Sequence, residues 1–530
     1  MGERAGAAVL LGIALSAAVP AYAQTDLMDY VRTRAADADG ATDIAAAGYA
    51  AALTRNPNDP VIALHAFRQG LAVGDYALVA RAEAVLAKNP DPPIDAPIIS
   101  FALALQSGDR AASDAAVTRM EKGPLDFMVP VLRAWLAFDR GEDPLPFLEK
   151  RGGNALARRF AMEHRAFLLI AMKRGDEGLA GIRQMLAVSE NDDLRINAAL
   201  LLAQTGKRKE AAELLAGDRP DFVALRKTLG KGPKPGASIG AARLFLSIAV
   251  DLTTEDAPLE ISILLTRSAL LLDPTDDRAR LYLAESLSKE GLNTLALAEL
   301  ARIGPKSPYA RGAFAGKVAV LRRAGRMPEA VAQARGLAEG RGGTAADART
   351  YGELLNEEKQ YDAAAAAFAV ALSRPGGAAD WSLHYLRGVA LDRAGRWKEA
   401  LPQLRRAIEL GPNEAQPLAY LGSAMIERGE DAEAAMALLV KASRLKRDDP
   451  AITDSLGWAY YRRGDLARAL PLLERAAKSD PGDPKINEHL GDAYWRLGRR
   501  YEARYAWTAA TIYADAEAKT RLEGKIANGL

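Results

Sequence analysis

The sequence predicts an all-α fold, a right-handed solenoid of stacked helix-turn-helix repeats. Three observations predict it. A glycine recurs at Gly74, Gly108, Gly141, Gly175 and Gly206, then at Gly291, Gly325, Gly395, Gly429, Gly464 and Gly498, at nearly even steps within each run and with one double step from Gly325 to Gly395. The common step is about 34 residues, the length of one helix-turn-helix repeat. The stretches beside these glycines are amphipathic, as in FALALQSGDRAASDAAVTRM from Phe101. Alanine dominates an apolar fraction of 49% while aromatics are only 6%, which suits closely packed helices.

The 530 residues would ordinarily imply three or four domains. Stacked repeats override that inference, because they grow lengthwise without needing one large core. A net charge of +2, with acids and bases interspersed, gives no field for steering nucleic acid. The chain has no cysteine. Disulfides, thiolate catalysis, thiolate metal sites and a lipid-anchored mature N-terminus are thereby excluded.

Residues 1–23 read as a secretory leader. Arg4 supplies the positive end, Ala7 to Val19 the apolar stretch, and Ala21-Tyr22-Ala23 a small-x-small cleavage site before Gln24. The apolar run is too short to span a bilayer, and no second such segment follows. The expected mature chain is a soluble periplasmic protein, with peripheral contact to the outer membrane as a variant of that address.

Residues 24–229 read as degenerate helical repeats in which mostly the turn survives. Residues 230–240 read as a linker, since Gly230-Lys231-Gly232-Pro233-Lys234-Pro235-Gly236 cannot be helical. Residues 241–510 read as a solenoid, clearest over 381–510, and 511–530 as a polar capping helix of the kind exposed solenoid ends need.

The clearest repeats begin at Pro450 and Pro484. Set one period apart, Gly457 matches Gly491, Tyr460 matches Tyr494, Gly464 matches Gly498, Ala469 matches Ala503, Leu473 matches Trp507, and Ala476 matches Ala510. Glycine inside a helix costs about 1 kcal/mol against alanine, so Gly457 and Gly491 predict a partner helix too close for a side chain. Gly464 and Gly498 suit the left-handed end of a first helix. Asp449-Pro450 and Asp483-Pro484 suit an N-cap followed by a first-turn proline. Upstream, Gly388, Ala400, Leu404 and Ala407 keep the frame. Gly422, Ala435, Leu439 and Ala442 keep it with one residue inserted, and Gly352, Ala364, Phe368 and Ala371 keep it without a turn glycine near Lys359.

This small-large pattern resembles the tetratricopeptide repeat (TPR) family. The resemblance implies that the first helix of each repeat lines an inner surface that binds proteins. Carried onto this sequence, the inner positions are Tyr385, Asp392 and Arg393; Glu427; Asp454, Trp458, Tyr461 and Arg462; and Glu488, Asp492, Trp495 and Arg496. Tryptophan, tyrosine and arginine most often anchor interfaces, so a peptide or partner helix is expected there. A carboxylate-clamping subgroup of the family uses asparagine where this chain has Trp458 and Asp492.

No chemistry-bearing set accompanies these residues. The four histidines share no short window, and no triad, phosphate loop or cofactor motif is visible. Glu488, His489 and Asp492 share one helix but make an incomplete ligand set, so neither metal nor cofactor is expected. The expected role is a non-catalytic scaffold or adaptor of the bacterial cell envelope. The resemblance implies envelope proteins as partners, for example a periplasmic protease or assembly machinery. The rival readings are a glycan- or peptidoglycan-binding solenoid, and an enzyme subunit with its site in the N-terminal half.

Overall fold

The computed structural model describes residues 21–89, 92–149, 155–230, 232–254 and 259–530, so most of the expected leader lies outside the described residues. The chain is all-helical, and no strand occurs among the described residues. It divides into two compact units, residues 1–326 and 327–530.

The first unit opens with α1 Ala21–Ala38, α2 Thr42–Arg55, α3 Pro60–Val73, α4 Tyr76–Leu86, α5 Ala96–Ser107 and α6 Arg110–Met120. It continues through α7 Val129–Arg140, α8 Ala155–Ala171, α9 Gly175–Val188, α10 Asp192–Gln204, α11 Arg208–Leu214 and α12 Pro220–Thr228. It ends with α13 Ala237–Thr254, α14 Leu259–Leu272, α15 Asp277–Lys289, α16 Asn293–Ala301 and α17 Ala310–Arg323.

The glycine turns are built as their chemistry demands. Gly74 and Gly108 end α3 and α5 in the left-handed region, at φ 81° and 74°. Asp75 and Asp109 then cap α4 and α6, accepting from the Leu78 and Ala112 amides. Gly175 is the exception. It is the first residue of α9, and the left-handed position belongs to Lys173 at φ 64°. Among the described residues after Gly141, a short 3₁₀ turn, Leu145–Leu148, stands where a repeat would place its second helix.

Residues 230–236 are non-helical where described, but α13 already begins at Ala237, inside the expected linker. The division between compact units falls instead at residue 326. The physical reason is that α13 and α14 turn back onto the earlier helices. Helix α14 packs on α3 and α5, and α13 on α5 and α7. Both are apolar on nearly every side, with Leu244, Phe245, Ala249, Leu264 and Leu265 at most 1% exposed. A helix that is hydrophobic all round must be surrounded. Gly240 lets α13 approach α7, since a Cβ there would fall 2.1 Å from the Trp135 ring.

A buried ion pair sits within this core. Arg267, 3% exposed, donates from Nε to the Leu71 carbonyl at 2.9 Å and from Nη2 to the Ala72 carbonyl at 2.6 Å. Those carbonyls belong to the last turn of α3, which has no partners within its own helix. The third corner, Nη1, pairs with Glu299 at 2.6 Å, and Glu299 also receives Arg280 and Arg302.

The second unit comprises α18 Met327–Glu339, α19 Ala345–Glu357, α20 Tyr361–Ser373, α21 Trp381–Arg393, α22 Trp397–Leu410 and α23 Ala415–Arg428. It continues with α24 Ala432–Leu445, α25 Pro450–Arg462, α26 Leu466–Ser479, α27 Pro484–Arg496, α28 Arg500–Thr511 and α29 Ala516–Asn528. The pairs α19·α20, α21·α22, α23·α24, α25·α26 and α27·α28 each pack face to face. Within each pair a glycine of the first helix lies under a large residue of the second. A Cβ at Gly352, Gly388, Gly457 or Gly491 would fall 2.4–2.9 Å from Phe368, Leu404, Leu473 or Trp507, at the same sequence separation each time. In α23·α24 the separation from Gly422 to Leu439 is one residue longer, and the extra residue is absorbed before α24. Ala364, Ala400, Ala435, Ala469 and Ala503 are fully buried at the matching small positions. Asp449 and Asp483 cap α25 and α27 ahead of their prolines. Where the turn glycine is missing, Lys359 itself takes the left-handed conformation at φ 58°.

Three substitutions test this packing by urea denaturation. Gly491→Ala is expected to destabilise by about 1–3 kcal/mol through overpacking against Trp507. Lys359→Gly is expected to stabilise by about 1 kcal/mol, because it relieves a strained left-handed residue. Arg267→Ala leaves two helix-end carbonyls buried without their donor and takes one of three cations from Glu299, at a cost of about 3 kcal/mol. Hydrogen exchange should then show faster opening of α3 and α14 together.

Candidate functional site

The expected inner residues lie on α21, α23, α25 and α27. Helical period sets them on the side that faces the next first-helix in the stack, and this decides what each one touches. Asp392 accepts from the Tyr420 hydroxyl at 2.8 Å and pairs with Arg428. Asp454, 4% exposed, is held by His489 Nδ1, whose distances to the two carboxylate oxygens are 2.9 and 3.0 Å. Glu488 receives Arg521 at 2.8 Å and Lys525 at 2.7 Å. Asp492, 5% exposed, receives Lys525 at 2.8 Å and the Trp507 indole at 2.9 Å. Each of these partners stands roughly one period further on, except Trp507, which belongs to the same repeat as Asp492. The inner carboxylates therefore join successive repeats.

The aromatic residues divide by exposure. Trp458 is half-buried between two rings. It stacks on His489 at 3.9 Å and on Tyr461, itself buried, at 4.6 Å between centroids. The Arg496 guanidinium lies over the Tyr461 ring at 5.1 Å. Tyr385 is half-buried and meets Tyr420 edge to face at 5.9 Å. Trp495 lies under the end of the chain, with Trp507 at 5.5 Å beside it and Gly529 so close that a Cβ would fall 2.0 Å from its ring.

Arg393, Glu427, Arg462 and Arg496 are exposed. Glu427 is reached by Lys485 at 3.5 Å. The structure thus brings Asp454, Trp458, Tyr461 and Arg496 into one cluster across α25 and α27. It brings Tyr385 and Asp392 into another across α21 and α23. It places Glu488 and Asp492 beneath α29, away from solvent, and leaves Trp495 half-buried beside Gly529. Helix α29 is capped by Asp515 and buries Leu522 against Trp507. Through Arg521 and Lys525 it engages α27 as the first helix of one more repeat would.

Sequence reasoning missed His489 as the ring that backs Trp458. It also missed Tyr420, and the pair formed by Trp397 and Glu430 at 2.7 Å with Arg428 4.1 Å above the indole. The available signal was separation by about one period, as between Asp454 and His489.

Glu488 is the most perturbed carboxylate of this surface. Burial pushes its carboxyl up, and the hydrogen bonds and charges of Arg521 and Lys525 more than reverse that, to about 2. Burial pushes the neighbouring Asp492 up, with Lys525 opposing it.

Residues 321–510 match the family model described as tetratricopeptide repeat. A TPR repeat-containing protein of Pseudomonas aeruginosa is 36% identical over 88 residues, which are 17% of this chain and 15% of that protein. The chain therefore spans under a sixth of that relative. A thermophilic TPR protein of Thermus thermophilus is similar in structure at 21% identity, covering 35% of this chain and 100% of that one, with a TM-score of 0.32. A tetratricopeptide repeat protein of Parabacteroides merdae covers 48% of this chain and 99% of its own, at 14% identity and a TM-score of 0.42.

The docking of α29 should be acid-sensitive. A carboxyl held below its ordinary value contributes stability that is complete above pH 4.5 and fades as pH falls through about 2. Pepsin cleavage within residues 516–530 is expected to rise between pH 4 and 2. In Glu488→Gln, trypsin is expected to cut at Arg521 already at pH 7 at a rate that leaves the wild-type segment intact.

Proposed function

We propose, from the match of residues 321–510 to the tetratricopeptide repeat family model, that this chain is a non-catalytic scaffold or adaptor of the bacterial cell envelope, binding a peptide or partner helix along the inner helices of its second unit. The observation that carries the reading is the exposed part of that surface. Arg393, Arg462 and Arg496 stand in solvent around half-buried Trp458 and Tyr385. Arginine and large aromatics supply most interface anchors. Their backing of buried carboxylate pairs limits the side-chain ordering that binding would otherwise cost.

The balance of exposed charge favours an acidic segment with large apolar side chains. Three arginines face solvent, while Glu427 already has Lys485. The leader-like residues 1–23 support the envelope address. No helix among the described residues is long and apolar enough to cross a membrane.

The test is a pull-down from envelope extract with the mature chain, followed by mass spectrometry and titration of the recovered protein. Arg462→Glu combined with Arg496→Glu leaves the buried pairs intact and should weaken that binding at least about tenfold, as removal of charge-assisted contacts does. Binding should also fall as salt rises. Unchanged affinity in this variant would remove the inner helices as the docking surface. N-terminal sequencing of the chain recovered from the periplasm should begin at Gln24.

A further inference from the structure

The first unit contains a cavity of about 160 Å³, of mixed polar and apolar lining, beside the Gly/Pro stretch, bounded by α10, α12, α13 and the loop before α15. Arg243, on α13, lines it and is only 7% exposed. Its Nη1 is buried and meets no acceptor. Gln204 Oε1, on the same lining, is also buried without a donor. Asp273 and Asp276 attract the Arg243 guanidinium from a distance, but a buried N–H without an acceptor still costs free energy. Native structures rarely leave such groups unmatched, and each unmatched one asks for a missing partner.

The other charges of the lining are largely committed, although Arg278 keeps a buried Nε without an acceptor. Arg278 is bonded to Asp193 at 2.9 Å and Asn197 at 2.8 Å. Asp276 caps α15 through the Arg278 and Ala279 amides, and Asp277 lies 3.7 Å from Arg280. Asp273 spends one carboxylate oxygen on the Thr275 amide and hydroxyl. Among the described residues no hydrogen bond reaches its other oxygen. Arg243 and Asp273 thus share one lining, each with an unengaged pole, and form no ion pair with each other.

That combination selects among ligands. A free anion would enter a lining that already holds three aspartates against two arginines. A free cation would meet the buried Arg243. A molecule carrying both charges satisfies both poles at once. We propose that this cavity is a binding site for a small zwitterion of the α-amino-acid class, its carboxylate on Arg243 and its ammonium on Asp273. Gln204 and Tyr309, also in the lining, are placed to bond a polar side chain.

The test is calorimetric titration and thermal melting of the full chain with glycine, L-alanine and L-serine, set against acetate, methylammonium and inorganic phosphate. The amino acids are expected to bind one to one and raise the melting temperature. The three single-charge probes should bind at least about tenfold more weakly, because each engages one pole only. Asp273→Asn and Arg243→Met should each weaken amino-acid binding at least about tenfold with helical circular dichroism unchanged. Without ligand, Arg243→Met should melt no lower than wild type, since it removes an unpaired buried charge. If that variant does not fold, Asp273→Asn, at a position already tied to Thr275, carries the test alone. Equal binding of acetate would make this a simple anion site and overturn the proposal. Absence of heat with every amino acid would leave only bridging water, and binding retained in Asp273→Asn would remove the ammonium pole; either overturns it too.

Discussion

The first unit depends on burying a helix pair that cannot exist in water. Helices α13 and α14 are largely apolar and buried on nearly every side, so some other part of the chain must wall them in. Helices α3, α5 and α7 do so. The wall is closed by one guanidinium. Arg267 bonds the last carbonyls of α3, far earlier in the chain, and Glu299 balances its charge. Gly74 is fixed by the same contact: its backbone has φ 81°, and a Cβ there would fall 2.8 Å from Arg267 Nη1. The helix end, its left-handed turn and the buried ion are one device. They also occupy the inner side of these early repeats with the chain's own residues, which leaves the second unit as the place to seek a partner surface.

In the second unit the same helix pairs stack without such a filler. The small-large pairing of glycine under Phe368, Leu404, Leu439, Leu473 and Trp507 holds each repeat together. The joint between one repeat and the next is more polar. Asp392, Asp454 and Glu488 are each answered by a cation, a hydroxyl or an imidazole about one period later. A buried pair of this kind adds little net stability, yet removing one partner is costly. It therefore fixes the register of the stack more than it deepens the fold. Helix α29 supplies the cations that answer α27, Arg521 and Lys525.

Much of this was legible in the sequence wherever a feature is local or strictly periodic. The turn glycines at 74, 108, 141, 206, 291, 325, 395, 429, 464 and 498 all have positive φ. The caps at Asp449 and Asp483 and the close approach at Gly457 and Gly491 follow from neighbours within one repeat. Lys173 and Lys359 hid because lysine carries no signature of a left-handed turn; tertiary packing imposes it. The Gly/Pro stretch read as a boundary because its backbone cannot be helical. Yet α13 and α14, directly after it, pack backwards onto α3, α5 and α7, and no local pattern encodes contacts between such distant parts of the chain. On the inner surface, residue type marked Asp454, Glu488 and Asp492 as ligand groups. Side chains one period on had already claimed them.

The two units consequently differ in how their stability is distributed. Apart from the exposed Glu427–Lys485 pair, the contacts described in the second join a repeat to itself or to its neighbour, so its free energy is close to a sum of repeat and interface terms, and it can open from an end. The first is closed by contacts between distant parts of the chain, so α3, α14 and α16 must loosen together or not at all. Its interior also holds groups that burial holds away from their ordinary charge state. The His164 imidazole is driven down to about 3, with Nδ1 accepting from Trp135, and the Glu163 carboxyl is driven up to about 7. Their pH senses differ. Neutral His164 favours the fold above pH 6.5, and that contribution fades as pH falls toward 3. Protonated Glu163 favours it below pH 4.5, and that contribution fades as pH rises through about 7. At neutral pH the His164 term is complete and the Glu163 term is not, so the closure through Arg267 holds the first unit together against a buried carboxylate that is partly charged.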